Sequence, residues 1–172
     1  RIGATDSDTC THCHKCRETT GHFTNSCPHF HNAITKVHDQ AWADIHPALQ
    51  QAAHKEFQCI WDEPMAATGL TFQEVMVPNP DRLGEHLVLP PAHFSTLRPD
   101  GVAVHHRSRV ILLLEYTRVS DTAPDKLWPA ASRKHSKYQA LIKALRGYTE
   151  AGWSIQVIPL VVGTRGSLLP HL

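Results

Sequence analysis

No stretch of this chain approaches the roughly 18 consecutive apolar residues of a membrane-spanning helix, and no signal-peptide pattern is visible, so a membrane partner and a secretory route are not expected. Net charge is also scarce. Seventeen Lys and Arg against sixteen Asp and Glu leave +1, so the molecule as a whole offers no strong field to a polyanion, and any such partner has to be met by locally clustered cations. There is no internal repeat, no low-complexity tract and no phosphate loop; Gly163-Thr164-Arg165-Gly166 lacks the lysine and the spacing of one and reads as a turn. The chain starts at Arg1 without a methionine, which leads us to expect a piece of a longer protein.

What the chain does have is cysteine and histidine in excess at its start. Four of the five cysteines fall between Cys10 and Cys27, and seven of the fourteen histidines precede residue 47. Cys10-x2-Cys13-x8-His22-x4-Cys27 supplies four soft donors within eighteen residues, the set that tetrahedral Zn2+ takes. Cys16 offers a competing set, Cys13, Cys16, His22 and Cys27. Clustered metal spacing points to a reducing compartment rather than to disulfides. Cys59 lies apart and reads as a buried thiol.

Further along, an Arg98-Pro99-Asp100-Gly101 turn enters an apolar strand, Gly101 to His105. A basic turn then leads to Val110-Ile111-Leu112-Leu113-Leu114, which ends in Glu115. Fourteen residues separate the two acids. If the strands pair as a hairpin, both carboxylates meet at one end of the sheet. Burying Glu115 requires a cation, a hydrogen-bonding network or a solvent cleft. Two such oxygens make the minimal clamp for Mg2+, and phosphodiester hydrolysis is the chemistry that most often uses one. A helix follows, with Ser132 as N-cap and Tyr138, Leu141, Ile142, Leu145 and Tyr148 as its apolar stripe, stopping at Gly152. Lys134 and Lys137 fall on or beside that stripe. Trp153 to Val162 reads as a buried strand.

Pro99-Asp100, Glu115 and a lysine placed on the following helix resemble the PD-(D/E)xK nuclease superfamily. Thr117, not Lys, stands two residues after Glu115, so the lysine comes from the helix. Glu18-Thr19-Thr20-Gly21-His22, Cys27-Pro28, His31-Asn32-x5-His38-Asp39, Arg98-Pro99-Asp100 and Lys134-His135-Ser136-Lys137-Tyr138 follow in order. From Cys10 to Gly166 the chain is thereby similar to the CCHC zinc finger and restriction-like endonuclease of early-branching non-LTR retrotransposon reverse transcriptase proteins. Val37 replaces the basic residue that usually precedes the His-Asp pair.

The resemblance implies an endonuclease that nicks target DNA so that the exposed 3′ hydroxyl primes reverse transcription. Its longer loop favours Cys10, Cys13, His22 and Cys27 as zinc ligands. Asp100 and Glu115 would hold Mg2+ or Mn2+. Lys137 or Lys134 would orient the water or stabilise the transition state, with Tyr138 positioning the lysine or the phosphate. Arg98, Arg118, Arg133 and Lys143 would follow the DNA backbone. Target DNA, the element RNA and a covalently linked reverse transcriptase region would be the partners, in the nucleus. The competing functions are a non-catalytic nucleic-acid-binding module and a structural zinc domain within a polymerase.

The expected fold is α/β: a restriction-endonuclease-like mixed sheet flanked by helices over residues 33–172, preceded by a small zinc finger over residues 1–32. Ala33 to Gln58 reads as one helix, kinked at Pro47, with His38 and Asp39 on its surface and Glu56 as a reserve acid. Thr71 to Val77 and Leu87 to Leu89 are candidate strands, and Glu85 an exposed turn residue.

Overall fold

Alternation of apolar side chains along three strands decides the architecture. In the computed structural model, which describes residues 8–53, 56–62, 94, 96–121, 126–144 and 152–169, β1 (Phe57–Trp61), β2 (Gly101–His105), β3 (Val110–Val119) and β4 (Ser154–Gly163) form one sheet in that order. The first three strands run antiparallel, and β4 is parallel to β3. A parallel joint needs a crossover. Helix α3 (Leu127–Ala144) lies between β3 and β4 in the chain and supplies it.

Period-two patterning sorts the strand residues between the two faces. Val102, Val104, Ile111, Leu113, Ile155 and Val157 form one buried cluster with Tyr138 and Leu141 of α3. Ala103, Leu112, Leu114, Tyr116, Ile158 and Leu160 cluster instead with Trp42, Ile45 and Leu49. Those three belong to α2 (His31–Ala52). The result is the expected mixed sheet with helices on both faces. Preceding it are the short α1 (Thr20–Asn25) and a 3-10 turn, Pro28–Phe30. Helix α2 begins at His31, so the expected boundary after residue 32 falls within its first turn.

Four expectations need correction. Helix α2 ends at Ala52 rather than Gln58, and Phe57 starts β1. The chain turns because Phe57, Cys59 and Trp61 gain burial against the sheet's α2 face that a longer helix would forfeit. Helix α3 starts at Leu127, five residues before Ser132. Pro129 is tolerated there because first-turn N–H groups have no intrahelical acceptor. Strand β3 does not end at Glu115 but continues to Val119, pairing with β4 as far as Gly163. Finally, Glu56 is no reserve acid. Its exposed carboxylate lies 3.7 Å from His105 Nε2, at the end of β2 opposite Asp100. Thr71 to Val77, Glu85, Leu87 to Leu89, Leu145 and Tyr148 lie outside the described residues. Helix α2 runs through Pro47.

Candidate metal centre and acid–lysine site

The N-terminal cluster is built by two local devices. A knuckle brings the first cysteines together: Cys10 N–H donates to Cys16 O at 2.7 Å and His14 N–H to Cys10 O at 2.9 Å. Glu18 fastens this turn from outside, accepting from the Thr11 backbone N–H and hydroxyl at 2.9 and 3.0 Å. Those bonds hold its carboxyl below the ordinary range. Helix α1 then presents His22, and Thr19 caps it by accepting from His22 N–H at 3.1 Å.

One donor atom each from Cys10, Cys13, His22 and Cys27 lies within 4.8 Å of all the others. Cys10 and Cys27 Sγ are 4.0 Å apart, and Cys13 Sγ is 3.2 Å from His22 Nε2. With Zn–S near 2.3 Å, a tetrahedral site sets its sulfurs roughly 3.8 Å apart, so the donor set fits. His22 Nδ1 faces the Ser26 hydroxyl at 3.4 Å, the outer contact that fixes the ring of a metal-ligating histidine. Cys10, His22 and Cys27 are buried, whereas Cys16 is exposed and outside the cluster. A Cys3His site able to hold a structural metal such as zinc is therefore present, with the ligand set that the finger resemblance favoured. Burial pushes the Cys27 thiol up, while the Lys15 backbone holds Cys13 below its usual value.

The acid–lysine site follows from register. Gly101 pairs with Leu114, which sets Asp100 across from Glu115 at the end of the hairpin. A Cβ on Gly101 would lie 2.7 Å from the Trp61 ring, so only glycine lets β1 and β2 close here. Asp100 continues the ladder with its side chain: Oδ2 accepts from Tyr116 N–H at 2.7 Å. Its carbonyl accepts from the Trp42 indole at 2.9 Å and from Asp62 N–H at 3.0 Å. The turn is thus pinned from α2 and β1 together. Burial foremost, then the charge of Glu115, push the Asp100 carboxyl up; His38, Lys134 and the Tyr116 N–H oppose the rise.

Glu115 shares strand parity with Leu113 and faces α3. Its side chain is 1 % exposed, yet it is fully paired. Lys134 Nζ donates to Oε2 at 2.5 Å, Lys137 Nζ to Oε1 at 3.2 Å, and the Tyr138 hydroxyl also to Oε1. Positions 134, 137, 138 and 141 recur on one helical face, so the residues that reach Glu115 stand on the same stripe as Leu141, which enters the core. Burial and the neighbouring Glu115 together push the Tyr138 hydroxyl far up, keeping it a neutral donor.

Other expected residues are placed less centrally. Arg98 donates to Asp62 O at 2.8 Å and to Asp62 Oδ2 at 2.7 Å, at the rim of the Asp100 turn. Arg118 reaches the finger, donating to Thr24 O at 2.8 Å. Arg133 and Lys143 are exposed on α3. His38 is not a plain surface residue. Its Nε2 stands 3.4 Å from Tyr116 O and 4.0 Å from Asp100 Oδ2, while Nδ1 faces Asp39 at 3.2 Å. Its helical position, four before Trp42, was the available signal.

The chain is therefore a mixed α/β protein carrying a Cys3His cluster able to hold a metal and a separate acid–lysine centre. No helix among the described residues is long and apolar enough to cross a membrane. No protein-family model matches the chain, and no curated protein matches it.

Proposed function

We propose that this chain is a metal-dependent endonuclease that hydrolyses a DNA phosphodiester, the nicking component of a retrotransposon reverse transcriptase protein. The observation that carries the reading is the convergence at one sheet end of Asp100 and Glu115 with Lys134, Lys137 and Tyr138. Asp100 and Glu115 are the residues that would hold Mg2+ or Mn2+. Bound there, the ion would lower the pKa of a water and offset charge on the phosphate. Lys137, whose side chain is 40 % exposed beside the centre, is the cation able to meet a phosphate oxygen. Lys134, more enclosed at 25 %, holds Glu115 in position, and Tyr138 orients the same carboxylate.

One observation favours a second reading. Glu115 already has three donors and almost no exposure, which suits a closed ion-pair network in a non-catalytic nucleic-acid-binding module. Nicking of supercoiled plasmid in Mg2+ or Mn2+ separates the two. Wild-type protein should nick; Asp100→Ala and Glu115→Ala should not, while their circular dichroism stays native. Wild-type-like nicking by either variant would overturn the assignment of the centre. No nicking by the wild type in either ion would leave the binding module.

A further inference from the structure

Beyond the acid–lysine centre, β3 continues into a cleft that neither site uses. One wall comes from the finger at Thr19 and Ser26, and the floor is the end of β3 at Thr117. The far wall is the start of α3, with Lys126 and Arg133; Arg118 also lines the cleft. Its volume is about 550 Å³, within the roughly 300–1,000 Å³ of small-ligand sites. Among the described residues no carboxylate lines it, against three cations and several hydroxyls.

The finger wall is fixed to the strand that forms the floor. Arg118 crosses from β3 to Thr24 O at 2.8 Å. A Cβ on Gly21 would come within 3.1 Å of Ser120 Cβ, so α1 lies almost directly on the strand end. The cleft also adjoins the acid–lysine centre. Thr117 shares the strand face of Glu115, two residues or about 7 Å further on, and Arg133 precedes Lys134.

We propose that this cleft is a phosphate subsite. It would take the DNA backbone one step from the scissile bond, with Lys126 and Arg133 meeting the phosphate and Arg118 positioning the finger wall. The inference rests on the nuclease reading for the identity of its ligand, but its test does not need cleavage. Guanidinium and ammonium groups that contact a phosphate replace its counterions. Each contact of that kind adds to the salt dependence of binding, close to 0.9 per phosphate in log–log slope.

The experiment titrates a fluorescein-labelled DNA duplex of about 20 base pairs with the full chain, at several salt concentrations and without added Mg2+. Arg133→Ala and Lys126→Ala should each weaken binding about three- to tenfold and flatten the slope by about one. Arg133→Lys should restore the slope. Lys36→Ala, an equal charge change at an exposed position of α2 that does not line the cleft, should leave both quantities unchanged. Thr117→Glu, which adds a negative charge to the floor, should weaken binding as much as either cation deletion. The subsite is refuted if Arg133→Ala and Lys126→Ala match Lys36→Ala. A wild type that binds with these dependences but never nicks would sink the nuclease reading and leave the subsite standing.

Discussion

Replacing Lys134 by methionine removes the nearer of the two ammonium groups that donate to a carboxylate that water barely reaches. Glu115 is 1 % exposed and takes Lys134 at 2.5 Å, Lys137 at 3.2 Å and the Tyr138 hydroxyl. Hydrogen bonds to a charged group contribute about 1.5–3 kcal/mol each, and removing one partner of a fully buried pair costs about 3–5 kcal/mol. Lys134 is a quarter exposed and Lys137 remains to share the charge, so the lower range applies. The cost should be about 2 kcal/mol, a shift of roughly 1 M in the urea midpoint at unchanged slope. Methionine keeps most of the stem's packing, which isolates the ammonium. Adding Glu115→Gln removes the stranded charge, so the double variant should lose less than the sum of the two single ones, with a coupling of about 1–2 kcal/mol. Urea unfolding of the four proteins at neutral pH, followed by tryptophan fluorescence, measures each corner of the cycle. A Lys134→Met midpoint indistinguishable from wild type, or additive single costs, would show that Lys134 is not held against Glu115 at all.

Two further outcomes are expected. Elemental analysis of freshly purified protein should find about one zinc per chain; Cys10→Ser should lose it and Cys16→Ser keep it, and the reverse pattern would move the ligand set. Acid stability should depend on Asp121, which accepts from Thr164 Oγ1 and Arg165 N–H at 3.0 and 3.2 Å and from Ser167 Oγ at 2.5 Å. These bonds, Ser167 first, depress its carboxyl to about 2 from an ordinary 3.8. The stability this adds is full above about pH 4 and is lost as pH falls toward 2. Asp121→Asn should flatten that part of the acid limb, and an unchanged limb between wild type and variant would count against the turn.

Much of the centre was legible because charge interrupts pattern. Glu115 breaks an apolar run at a position whose parity, shared with Ile111 and Leu113, already assigns it to a covered face. Lys134, Lys137 and Tyr138 have the helical spacing that stacks them beside Leu141. The end of α2 was not legible. Leu49, Ala53 and Phe57 keep the helical period while Phe57, Cys59 and Trp61 keep the strand period, and tertiary burial chose the strand for the last of them. His38 stands four before Trp42 on the buried stripe, but its partner Tyr116 is seventy-eight positions away. No local pattern encodes such a contact. Nor did spacing announce that the finger lies on β3, since Arg118 to Thr24 is again a long-range meeting.

That last contact sets an order of assembly. Cys10 and Cys27 are separated by 17 positions, whereas Arg118 and Thr24 are separated by 94. Loop closure favours the near pair, and metal binding folds such a segment without help from elsewhere. During synthesis the finger emerges first and can close around its metal while β3 is still unmade. The hairpin then completes the strand on which the finger comes to rest. A finger that closes late, or around the wrong cysteine, meets a sheet already formed and has to find Ser120 and Arg118 as a separate body. The Gly21 contact tolerates little misalignment there, since an added Cβ would already crowd Ser120. Early closure of the Cys3His cluster around a metal would thus prepare the surface that the later long-range docking step requires.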